Sequence, residues 1–74
     1  MKLIDAKKGQ KYQINKINLH NELFFRVLNL GLFIGATIYV VKPATKNMPI
    51  LINCDSLNVA LGNDVSKAIE VKAI

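Results

Sequence analysis

One histidine and one cysteine, with five carboxylates, are all that this sequence offers for acid–base, nucleophilic or metal chemistry. A transition-metal site of the two-imidazole, one-carboxylate kind needs a second histidine, and His20 is alone. His20 and Glu22 stand two positions apart, so on a helix they face different ways. His20 therefore reads as a solvated side chain near a helix start. Cys54 shares a strand face with Ile50 and Ile52 and reads as a small buried hydrophobe, with no neighbouring base to activate it. Asp5, Glu22, Asp55, Asp64 and Glu70 are scattered, and no glycine-rich phosphate loop of the Walker or dinucleotide type occurs. The sequence thus predicts no catalytic residues, no metal ligands and no cofactor, and it is not that of an enzyme.

Binding is the chemistry left. The formal charge of +5 favours anionic partners, and Lys2, Lys7, Lys8, Lys11 and Lys16 gather half of the basic residues before position 17. A nucleic-acid footprint would add exposed aromatics that stack on bases, but Tyr12 is expected inward, so nucleic-acid binding is the rival reading and not the favoured one. A better surface lies further on. If Leu23, Phe24, Val27, Leu28 and Leu30 form the apolar arc of a helix, Phe25 falls opposite it at 100° per residue, beside Arg26. Phe25 should be exposed. Aromatic residues and arginine are enriched at binding hot spots, and Phe25, Arg26 and Phe33 are the candidate contact surface for a partner protein or for self-association.

The elements that must carry these residues follow from periodicity. Gln10–Ile17 alternates, with Tyr12 and Ile14 against Gln13 and Asn15, as a half-buried strand does, and Ile17 falls out of phase, which predicts a bulge or the strand's end. A helix of about three turns starts near Asn21, with Asn18 or Asn21 as its cap, Glu22 suiting the positive end of its dipole, and Gly31 closing it in the left-handed conformation. Thr37–Val41 is dense in β-branched residues, Lys42–Pro49 is a polar loop, and Ile50–Cys54 is extended again. Asp55-Ser56 predicts a tight turn into a strand whose Leu57, Val59 and Leu61 face the core. Gly62-Asn63-Asp64 breaks that strand, and Ala68–Lys72 is the last one. Five short strands and one helix make a mainly β fold, with edges best protected by a closed or nearly closed barrel.

Size and composition agree with one small domain spanning residues 1–74. The chain is 51% hydrophobic and 20% charged, far from the composition of disordered chains. One cysteine allows no internal disulfide, and no secretory leader precedes the first strand, so a cytoplasmic location is expected. The longest apolar run, Leu30–Val41, is well short of the ~20 residues that cross a bilayer, so no membrane insertion is expected.

In order and spacing, Leu3, Gly9, Arg26-Val27, Leu30-Gly31-Leu32, Gly35, Ile38, Val40-Val41, Pro49-Ile50, Ala60-Leu61, Ile69 and Val71 form a series that resembles the FeoA family, ferrous iron transport protein A. The match covers essentially the whole chain. The resemblance implies a small SH3-like β-barrel with a helix inserted after the first strand. It also implies a cytosolic accessory of FeoB, the permease that moves ferrous iron, whose cytosolic part would be the partner. The same domain occurs at the end of some iron-dependent repressors, and a detached regulatory domain of that kind is a further alternative, weakened because no helix-turn-helix precedes the barrel. The sequence departs from the family at Gly31-Leu32-Phe33-Ile34-Gly35, where Gly-Leu-x-Pro-Gly is common. It departs again at Phe24 and Phe25, which take positions often polar or basic, and at Gly62, where an arginine often stands.

Overall fold

Alternating apolar residues on four of the five strands, with the inner half of the last, supply most of the core. The computed structural model describes residues 1–74. After a 3-10 turn at Leu3–Asp5 come β1 (Lys11–Ile17), α1 (Asn21–Asn29), β2 (Thr37–Lys42), β3 (Ile50–Cys54), β4 (Leu57–Leu61), α2 (Asn63–Ser66) and β5 (Ile69–Ala73). The strands form one antiparallel sheet in the order β4-β3-β2-β1-β5. Tyr12 and Ile14, Ile38 and Val40, Ile50 and Ile52, Val59 and Leu61, and Ile69 and Val71 turn one face of each strand into a single buried cluster, which Leu3, Val27 and Leu32 complete.

The expected bulge is present. The β1–β5 register slips between Ile14 and Lys16, leaving Asn15 unpaired, and Ile17 returns to the inner face and packs on the core. Gly31 closes α1 as expected: at φ +90° its N–H reaches the Leu28 carbonyl at 2.9 Å while Leu32 N–H reaches that of Val27 at 3.3 Å, the paired bonds of a Schellman ending.

The sheet curls into the small barrel-like shape expected, nearly closed but without a β4–β5 ladder, and the 3-10 turn packs on β5 and α2. Two expectations are corrected. Neither Asn18 nor Asn21 caps α1. His20 holds the cap position with no side-chain bond, and Asn21 takes φ +55°. The helix does not bury its whole apolar arc: Val27 enters the core and Leu30 packs on it, but Leu23 and Phe24 are half-buried and Leu28 is exposed. So small a chain encloses too little volume to take all five side chains. The break expected at Gly62-Asn63-Asp64 is present, and the short α2 that follows it and the 3-10 turn, neither of them expected, carry Ser66 and Leu3 into the interior.

Candidate functional site: an apolar groove at the helix end

The Schellman ending aims the chain from α1 back over the sheet, and Leu32 is buried as the anchor of that reversal. The next two residues, Phe33 and Ile34, are left 50% and 65% exposed. Gly35, at φ +97°, then turns the chain into β2. Opposite this segment stands the tip of the β3–β4 hairpin, where Asp55 and Ser56 both take left-handed φ angles of 51° and 68°, the geometry of a type I′ turn.

Between the two lies a groove of about 570 Å³, lined by Leu30, Phe33, Ile38, Tyr39, Cys54 and Leu57 among others, with Lys11 and Asp55 as its charged members. Cys54 pairs directly with Leu57, so both side chains lie on the same face of the hairpin. That explains the correction needed for Leu57: it does point to the core side, but the hairpin tip overhangs the end of the core, and Leu57 is 53% exposed in the groove wall. Cys54 sits one step nearer the core and is buried, as expected. Its thiol donates to the Gly31 carbonyl at 3.6 Å and so ties the hairpin to the helix end. Burial first, and the neighbouring Asp55 carboxylate second, push that thiol up from its ordinary value, so it stays protonated and is a poor nucleophile or metal ligand at neutral pH.

Of the three residues nominated from sequence, the groove contains Phe33 alone. Phe25, 60% exposed as the helical phase predicts, and Arg26 lie on the exposed side of α1 and do not line it. The Phe25 ring stacks edge-on to Phe24, 5.7 Å away. Sequence reasoning missed Tyr39 and Leu57. Tyr39 carried a signal, since it alternates with the inward Ile38 and Val40 and so had to face out. Leu57 carried none, because strand alternation does not say where the core ends.

Nothing in the molecule assembles a donor set: no three His, Cys, Asp or Glu side chains come together. His20 is exposed at the start of α1, remote in the sequence and on a different element from Cys54. The lysines at 2, 7, 8, 11 and 16 are all exposed, but Tyr12 is buried, its hydroxyl accepting from the Lys7 N–H at 3.0 Å, and cannot stack on a base.

Comparison with known proteins places this arrangement. The chain is 35% identical, over the full length of both chains, to the protein named "Putative Fe(2+) transport protein A" of Campylobacter jejuni. It superposes on the solution structure of iron(II) transport protein A from Clostridium thermocellum with a TM-score of 0.92 and 26% identity, all of this chain covering 46% of that one. The same fold, at a TM-score of 0.87 and 20% identity, makes up 41% of a manganese-dependent transcriptional repressor, all of this chain again being covered. The family model described as the FeoA domain matches residues 1–73, and with it the chain belongs to the FeoA family.

Proposed function

We propose that this protein is a non-catalytic cytoplasmic accessory of ferrous iron uptake that acts by docking on the cytosolic part of a FeoB-type permease. The observation that carries the reading is the apolar groove, in which Phe33, Tyr39 and Leu57 remain 50%, 41% and 53% exposed although the protein has a well-filled core elsewhere. Large apolar side chains held open to water at one end of a small fold mark an interaction site. Full-length membership of a family whose relative is named for Fe(2+) transport supplies the process. Phe25 and Arg26 on α1 extend the contact surface beyond the groove.

The test is binding of the purified chain to the permease's cytosolic domain, together with ferrous iron uptake in cells that lack the chain and are complemented with variants. Phe33→Ser and Leu57→Ser should each weaken the complex at least about tenfold, a loss of about 1.4 kcal/mol, and lower uptake in parallel. A complex of undiminished affinity in both variants would remove the groove from the interface, and normal uptake without the chain would remove the function. Because the carboxylates, His20 and Cys54 do not converge, the monomer should bind ferrous iron weakly or not at all. Anaerobic calorimetry checks this: stoichiometric micromolar binding that is lost in His20→Ala or Cys54→Ala contradicts it.

A further inference from the structure

The two edges of the sheet are treated differently. On β5 the open side is covered by the chain's own start: the Val71 N–H donates to the Met1 carbonyl at 2.8 Å, the Met1 ammonium donates to the Val71 carbonyl at 3.0 Å, and Lys2 bridges to Glu70. On β4 nothing comparable happens. That strand pairs with β3 alone. In a two-residue hairpin the closing pair, here Cys54 and Leu57, exchanges both main-chain bonds, and Ile52–Val59 and Ile50–Leu61 follow by alternation. The N–H and C=O groups of Asn58 and Ala60 therefore point away from the sheet.

Proteins protect such an edge with charge, proline, a bulge or a covering segment. β4 has none of the four: no other segment bonds to its outer side, and Asn58 and Ala60 are exposed. Leu57–Leu61 contains no charged residue and no proline, and its register with β3 is unbroken, whereas β1 and β2 both slip. The strand is also its own complement. Its inward positions, Leu57, Val59 and Leu61, read the same in either direction from Val59.

We propose that the β4 edge is a self-association surface, on which a second copy of this chain pairs antiparallel about a two-fold axis at Val59. In that register Asn58 of each copy faces Ala60 of the other, and each such pair exchanges two main-chain hydrogen bonds. Val59 faces its own counterpart, and the exposed Leu57 comes to lie opposite Leu61 of the other copy, so apolar residue meets apolar residue at every inward position. A two-fold interface must use one patch on both chains, and this strand meets that requirement. Net repulsion between two chains of +5 opposes the pairing, so it strengthens as salt is raised.

Concentration-dependent amide exchange, run beside sedimentation analysis, tests the proposal. Between about 10 μM and about 1 mM chain, a range that brackets weak edge pairing, the mass should rise toward twice 8.2 kDa and the Asn58 and Ala60 amides should become protected in step. Asn58→Lys with Ala60→Lys changes two exposed side chains and sets like charges directly opposite each other, so this chain should stay monomeric with an unchanged melt. Mixing it with the Asn58→Glu, Ala60→Glu chain should restore a dimer, which a merely structural effect of the substitutions would not do. A wild-type mass of 8.2 kDa throughout, or a dimer whose Asn58 and Ala60 amides exchange as fast as in the monomer, overturns the proposal. So does protection of these amides that arises only when the permease's cytosolic domain is added, because the strand's occupant is then a foreign segment.

Discussion

Cys54 is held protonated by two influences of the same sign, burial and the Asp55 carboxylate beside it. The consequence for stability has a definite direction. Below the thiol's ordinary 9.0 it is protonated in folded and unfolded chains alike and contributes no pH dependence. Above that value the unfolded chain ionises first, so stability falls until the folded thiol titrates as well. Raising the pH from about 8 to about 10 should therefore lower the urea midpoint more for the native chain than for Cys54→Ala. Equal losses in the two proteins would show that this thiol titrates normally. Phe25 makes the opposite case, a large apolar side chain with little structural duty. Phe25→Ser should move the melt by no more than the few degrees that about 0.5 kcal/mol produces, while weakening the proposed permease complex. An unfolded variant would put Phe25 in the core. The burial of Cys54 and the exposure of Phe25 were both legible in the sequence, since strand alternation and helical phase fix which way a side chain points. Leu28 and Leu57 were not, because direction alone does not say whether the core extends far enough to meet them.

Among the elements, the β3–β4 hairpin carries a correctable flaw. Its two-residue turn places Asp55 and Ser56 at positive φ, which costs an L-residue roughly 1 kcal/mol and costs glycine nothing. Ser56→Gly should accordingly stabilise the protein by about 1 kcal/mol, a rise of roughly 4 to 8 °C in Tm for a domain of this size. A melt that does not move would mean that the unfolded chain's gain in freedom cancels the relief. The boundaries of β3 and β4 could be read residue for residue because a turn-forming pair separated two alternating runs. The helix shows where such reading stops: Gly31 ended it for a reason that the sequence contains, but nothing local says that His20 would stand at the cap position with no side-chain bond. The short α2 was missed for a related reason. Its single turn is held by the Ser66 hydroxyl on the Gly62 carbonyl at 3.0 Å and by Asn63, whose amide bonds the Thr45 and Lys46 carbonyls, and those last contacts are remote in sequence.

At the scale of the molecule, no ladder bridges β4 and β5, and the 3-10 turn, packed on β5 and α2, plugs the interior of the curled sheet. Leu3, fully buried, is the plug's apolar anchor. Five short strands in so small a chain were enough to predict the curl, but a plug built from the chain's first residues leaves no periodic trace. The ladder order also has a temporal side. β1, β2, β3 and β4 are neighbours in sequence as well as in the sheet, whereas the outer edge of β1 must wait for β5, Tyr12 pairing with Ala73. Closing so long a loop is entropically late. Ile52→Val, in the local hairpin, should therefore slow refolding, and Val71→Ala should chiefly quicken unfolding, as the two arms of a chevron plot report. The reverse assignment would place the long-range ladder in the nucleus. On the ribosome, where synthesis runs at roughly 5 to 20 residues per second, β1 emerges several seconds before its β5 partner exists, and its open edge is then the nascent chain's point of exposure to chaperones.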